Sequence, residues 1–127
     1  MASSTIVYPQ KLGSTYKETK QHVINLKAEC SDCSFKEQVS DNGNKLIDVF
    51  YSDFSIIRHI FHRDVCISVW IKPYDNEAYS DTFGFLERDY IRISHRKYIR
   101  YGSVSDIVVE IENDKDGRPL IKFSIAK

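Results

Sequence analysis

Long hydrophobic runs are missing from this sequence. No stretch approaches the roughly 18 apolar residues of a membrane helix. The opening Met-Ala-Ser-Ser-Thr has neither the basic nor the apolar region of a secretory signal. Cysteine is scarce and odd in number, with Cys30, Cys33 and Cys66 alone. A secreted disulfide framework pairs its thiols, so three argue against one. An excess of one charge is missing too. Eighteen basic side chains balance eighteen acidic ones, which gives the whole molecule no general pull toward nucleic acid or an anionic membrane. No Asn-x-Ser/Thr sequon or lipidation signal occurs. Together these absences point to a cytoplasmic protein.

Glycine is sparse as well. The five glycines fit no phosphate-cradling spacing, and neither HExxH nor GxSxG occurs. Nucleotide-binding and zinc-protease chemistry therefore have no foothold. What the chain does have is aromatic side chains, eight Tyr and seven Phe, which favour the half-buried surface of a sheet. At 127 residues it is the size of one domain that can bury about two thirds of its unfolded surface. Residues 1–127 are read as a single domain. Residues 1–12 form a tail or an edge strand, with Thr5 to Tyr8 ended by Pro9.

Local patterns then divide the chain. Thr15 with Glu18 has the form of a capping box and opens a helix at about Tyr16. Ile24, Leu26, Ala28 and Cys30 alternate strictly, so this helix is expected to pass into a strand. Asp41-Asn42-Gly43-Asn44 lies between Phe35–Val39 and Leu46–Tyr51 and predicts a hairpin, because Asn-Gly supplies positive φ. Asp53 can cap a helix with the apolar stripe Phe54, Ile57, Ile60 and Phe61. Val65 to Ile71, ended by Pro73, reads as a central buried strand. Residues 74–82 read as a loop, and Thr82–Leu86 and Tyr90–Tyr101 as strands interrupted near Ser94–Lys97. Ile107 to Ile111 and Ile121 to Ile125 alternate about Asp116-Gly117, which predicts a closing hairpin with a wet outer face. The expected fold class is α+β: an antiparallel, hairpin-rich sheet of five to seven strands with one or two helices packed on one face.

Several constellations bear on chemistry. Cys30-Ser31-Asp32-Cys33 presents two thiols at the spacing zinc favours, and His59 with His62 could complete a four-ligand set. The histidine spacing is shorter than a zinc finger's, and two ordinary cysteines beside a turn explain the pair as well. A redox dithiol would open a helix after a strand, and acidic Asp32 opposes thiolate formation. No metal and no cofactor is the preferred expectation. Glu112, Asp114, Asp116 and Gly117 imitate the start of a calcium loop, but Phe123 stands where a bidentate Glu is required. Glu18-Thr19-Lys20 offers an acid-x-Lys element with no partner acid on a preceding strand.

The segment Tyr90 to Tyr101 interleaves bases with rings and contains no acid between residues 91 and 101. Tyr90, Arg92, His95, Arg96, Lys97, Tyr98, Arg100 and Tyr101 are the candidate partner-binding residues. The bland alternative is a solvated strand face with arginine stems lying over tyrosines. With no catalytic set in view, the first functional reading is a non-catalytic protein-binding module, such as an inhibitor or a toxin-neutralising, immunity-type partner. Tyr, Trp and Arg dominate binding energy at such interfaces. The second reading is a single-stranded RNA or nucleic-acid-binding domain using residues 90–101, with cations on phosphates and rings on bases. The third is a small metal-independent nuclease in which two of His59, His62 and His95 trade a proton. Exposed hairpin edges would also suit a homodimer.

Overall fold

Three of the hairpin turns show how the chain doubles back. The computed structural model describes residues 12–51, 55–102 and 105–126; the expected tail or strand within residues 1–11 and the helix cap at Asp53 lie outside them. Strand β1 (Ser34–Val39) turns into β2 (Lys45–Phe50) through Gly43, which takes φ +89°. The loop closes on two hydrogen bonds, Ser40 N–H to Asn44 O at 2.8 Å and Gly43 N–H to Ser40 O at 2.9 Å. The last hairpin, β7 (Asp106–Asn113) to β8 (Pro119–Ala126), repeats the device with Gly117 at φ +81°. Both hairpins are as the sequence predicts.

The middle hairpin is not. Residues 55–62 form strand β3 (Ser55–His62) rather than a helix, and β3 turns into β4 (Val65–Pro73) through Arg63 and Asp64. Both residues sit in the left-handed region, at φ 53° and 65°. Neither is a glycine or an asparagine, so the turn carries no sequence flag. Tertiary hydrogen bonds hold it in place: Tyr16 N–H donates to Asp64 O at 2.8 Å, and Cys66 N–H donates to Ser14 O at 2.8 Å.

Helix α1 (Tyr16–Glu29) opens on the expected capping box between Thr15 and Glu18 and continues as helix to Glu29. The alternation at Ile24, Leu26 and Ala28 does not govern, because the buried face is Thr19 and Val23, one helical turn apart. Residues 76–89, expected as loop and strand, form helix α2 (Asn76–Asp89). Asp75 caps it by accepting from Ala78 N–H at 2.9 Å, and Ala78, Thr82 and Leu86 recur every four residues on the buried side. Strands β5 (Ile91–Ser94) and β6 (Lys97–Arg100) form the interrupted pair expected around Ser94–Lys97.

All eight strands join one antiparallel sheet in the order β1-β2-β3-β4-β8-β7-β6-β5. The fold is α+β, with one strand more than the expected upper limit. Topologically it is two helix-plus-four-strand halves meeting at the β4–β8 seam. Register fixes what each face carries. One cross-strand row runs Ile47, His59, Val69, Phe123, Val109 and Tyr98, and the next runs Phe35, Val49, Ile57, Ile71, Ile121 and Ile111. These rows form one core with Val23 of α1 and Leu86 of α2, so both helices cover the same face. Tyr16 meets Phe61 edge-on, and Phe83 meets Tyr98 likewise. A bulge at Ile60/Phe61 shifts the pairing so that Phe61 faces Cys66. Cys66 therefore joins the core, and Ile67 is exposed instead of aligned with Val69.

Candidate functional site

The face that the helices leave uncovered carries an ordered chemical pattern. Register aligns Lys36, Asp48, Arg58, Trp70, Lys122, Glu110 and Lys97 in one row across seven strands. Charges alternate in sign on either side of the single Trp of the chain, which stands at the middle between two cations. Opposite charges placed directly across strands stabilise a sheet, by a few tenths of a kcal/mol to about 1 kcal/mol each.

Asp48 is the most buried charge of the row, with its side chain 4% exposed. Arg58 reaches it with two prongs, Nε to Oδ1 at 2.8 Å and Nη2 to Oδ2 at 2.9 Å. Gln38 Nε2 adds a third hydrogen bond to Oδ2 at 2.9 Å. The hydrogen bond to Asp48 raises the Arg58 pKa, so the guanidinium stays charged. Further along, Trp70 Nε1 donates to Ser68 Oγ at 2.9 Å, and Lys122 Nζ lies 4.2 Å from the Trp70 ring centre. Lys122 also pairs with Glu112 at 3.0 Å.

Beside this row a groove of about 600 Å³ opens. Phe50, Ile56, Trp70 and Leu120 supply its apolar surface; Lys36, Arg58, Lys72 and Lys115 supply its cations; Asp48 and Asp114 supply its acids. Asp114 stands in the β7–β8 turn, where Oδ1 accepts from Asp116 N–H at 2.9 Å and Arg118 N–H at 3.0 Å. Lys72 Nζ lies 3.0 Å from Oδ2, an ion pair rather than a well-directed hydrogen bond. The Arg118 N–H and then Lys72 hold the Asp114 carboxyl below its usual pKa. Lys36 and Lys115 are exposed and make no ion pair among the described residues. Four apolar and seven polar or charged side chains thus line one open groove.

Compared with protein-family models, curated proteins and solved structures, the chain matches none.

The basic and aromatic residues singled out by sequence sit toward the far edge of the sheet, where Lys97 ends the cross-strand row, and they divide. Tyr90 and Tyr98 are interior, 7% and 0% exposed. The Tyr90 ring lies edge-on to Phe85 and Phe123, and the Tyr98 hydroxyl donates to Glu87. Burial, followed by that hydrogen bond, pushes Tyr98 up to about 12. Arg92, His95, Arg96, Arg100 and Tyr101 are exposed, and Lys97 is half-buried. Arg92 donates to Ser94 O at 3.3 Å and His95 O at 3.1 Å, with Glu87 4.0 Å away. Arg96 donates to Asn113 Oδ1 at 3.1 Å, Lys97 pairs with Glu110 at 3.8 Å, and Arg100 lies over the Tyr90 ring. The guanidinium groups of Arg92 and Arg100 lie over the Tyr98 and Tyr90 rings, 5.9 and 5.8 Å from their centres.

The four metal-ligand candidates do not assemble. Cys30 and Cys33 are joined to each other as a disulfide. His59 is buried on the covered face, with Nδ1 3.1 Å from Ile47 O. His62 is exposed at the end of β3, 3.3 Å from Asn44 Oδ1. Among the described residues no group of three or more His, Cys, Asp or Glu side chains could hold one ion. Glu112, Asp114, Asp116 and Gly117 belong to strand β7 and its turn, as a hairpin requires. No helix among the described residues is long and apolar enough to cross a membrane.

Sequence reasoning missed the Arg58–Trp70 groove altogether. Lys36 opposite Asp48 follows from the Gly43 hairpin alone. Arg58 could not be placed while residues 54–61 read as a helix, and Trp70 meets Lys122 only through the β4–β8 seam.

Proposed function

We propose that this chain is a non-catalytic module that binds another protein, as an inhibitor or neutralising partner would, through the uncovered face of its sheet. One observation carries the reading: the helices occupy a single face, and the opposite face holds a groove built around Trp70 and Arg58. Trp and Arg in a partly desolvated pocket are the anchors that concentrate binding energy at protein interfaces. The basic β5–β6 hairpin, with Arg92, His95, Arg96, Lys97, Arg100 and Tyr101, is proposed as an outlying contact of the same partner. The exposed Ile91 and Ile93 on edge strand β5 also suit self-association through that edge.

The nucleic-acid reading has weaker support. It needs free ring faces for base stacking, whereas Tyr90 and Tyr98 are interior and Lys122 lies over Trp70. Nuclease chemistry at His59 and His62 has weaker support still, since one ring is buried under the helices and the other is exposed at a strand end.

The test begins with affinity purification from the cells that make the protein, with and without added ribonuclease. A purified partner is then rebound to the wild-type chain, to Trp70→Ala, and to Arg92, Arg96, Lys97 and Arg100 all changed to Ala, each first shown folded by circular dichroism. Ribonuclease-resistant binding that weakens about a hundredfold in Trp70→Ala, and less in the quadruple variant, is expected. Binding that disappears with ribonuclease, or is untouched by Trp70→Ala, defeats the proposal.

A further inference from the structure

Resting on the reading of the open face as a protein-binding surface, we infer that the groove takes an acidic segment of its partner. The segment's apolar side chain enters among Phe50, Ile56, Trp70 and Leu120, and its carboxylates reach Lys36 and Lys115. Charge accounting within the groove is the basis. Four cations line it against two acids. Asp48 is already satisfied by Arg58 and Gln38, and the charge of Asp114 is paired with Lys72 while two backbone N–H groups donate to its Oδ1. Lys36 and Lys115 are left as the lining cations that make no ion pair among the described residues.

Their placement favours two separated anions over a continuous line of charge. Lys36 lies on edge strand β1, and Lys115 lies in the turn leading into β8, four strand spacings away in the sheet. Four spacings of about 4.8 Å make roughly 19 Å across the strands. Lys115 also lies at least three residues further along the strand direction than the row of Lys36, so the two are on the order of 20–25 Å apart. An extended peptide covers that distance in about seven residues. Acids near both ends and an apolar residue between them then match the groove's charged ends and apolar middle. A nucleic-acid strand fits less well, since it brings a phosphate at every nucleotide to a groove with only two uncommitted cations. Lys122 at 4.2 Å from the Trp70 ring also occupies a surface on which a base would stack.

The chain provides its own reporter, because Trp70 is its only tryptophan and lines the groove. A random-peptide display library is selected against the folded chain. Enriched peptides are synthesised and titrated while Trp70 emission is followed, with oligouridylate as a parallel probe. The expected result is enrichment of acidic peptides with a central apolar residue. They should shift Trp70 emission and bind about tenfold or more weakly to Lys36→Glu, Lys115→Glu. Exchanging the peptide's acids for lysine should restore binding to that variant. Both lysines are exposed and make no ion pair among the described residues. Lys36 stands across from Asp48, where a new carboxylate costs up to about 1 kcal/mol, a loss the fold is expected to survive and circular dichroism checks.

Enriched peptides that shift Trp70 emission but are neutral or basic, or that ignore the charge reversal, overturn the acidic-segment inference while leaving the protein-binding groove standing. Peptides that leave Trp70 unmoved, or no enrichment at all, overturn both. Oligouridylate shifting Trp70 emission at lower concentration than any selected peptide also overturns both, and makes nucleic acid the occupant.

Discussion

Removing either partner of the Asp48–Arg58 pair should have unequal consequences, because the two ends differ in access to water. The Asp48 side chain is 4% exposed, whereas that of Arg58 is 38% exposed. Arg58→Met deletes two of the three hydrogen bonds to a buried carboxylate and leaves it only Gln38. Breaking a fully buried pair costs roughly 3–5 kcal/mol. Screening at the exposed guanidinium end reduces this, so about 2 kcal/mol is expected. For a domain of this size, that lowers the melting temperature by about 8 °C. Asp48→Leu instead removes the buried carboxylate and frees a guanidinium that can turn to solvent, and should cost about 1 kcal/mol or less. The double variant Asp48→Leu, Arg58→Met replaces the pair by apolar groups and should fall within about 1 kcal/mol of wild type. Urea unfolding of the four proteins completes the cycle. Equal costs for the two single variants, or a double variant as unstable as the sum of the singles, would refute the reasoning.

Other expectations follow from the same coordinates. Tyr16 and Tyr98 are both raised from 10.0 to about 12, in each case by burial first and then by a carboxylate partner. Their folded values lie above the unfolded ones, so their contribution to stability is complete below pH 10 and fades as pH rises toward 12. A tyrosinate absorbance titration should accordingly show a late-ionising group that becomes normal once the chain is unfolded. Tyr98→Phe removes the hydrogen bond to Glu87 and should cost about 1–2 kcal/mol, measured by urea unfolding. Arg63→Gly relieves a left-handed φ of 53° in a residue type that rarely adopts it and should stabilise by roughly 1 kcal/mol; a loss of stability in urea unfolding would refute that strain. Burial pushes the Cys66 thiol up to about 11, and Cys30 and Cys33 are bonded. A thiol reagent should therefore find almost nothing in the native protein at neutral pH, one thiol after unfolding, and three after reduction.

Legibility in the sequence followed the range of the interaction concerned. The Thr15–Glu18 box and the hairpins at Gly43 and Gly117 depend on residues within a few positions of one another, and all three were readable. The β3–β4 hairpin was unreadable because Arg63 is a poor left-handed residue and the turn has no glycine, its backbone being held by bonds with Ser14 and Tyr16 on a distant segment. Helix α2 was missed because its aromatic, glycine-containing stretch resembles strand and loop. Only the Ala78–Thr82–Leu86 spacing and the Asp75 cap marked it as helix.

By itself, the amino-acid order determined the class of the domain, its aromatic bias toward sheet, and the two turns whose backbone demands glycine. These are matters of composition and of neighbours along the chain. Tertiary structure decided the outward face. The β4–β8 seam set Trp70 against Lys122, and the bulge at Ile60/Phe61 shifted the side chains beyond it. The basic segment's Tyr90 and Tyr98 went into the core, while its charged side chains stayed outside. The physical reason is that a sheet assigns each side chain to a face by register, and pairing between strands far apart in sequence leaves no mark in either strand alone.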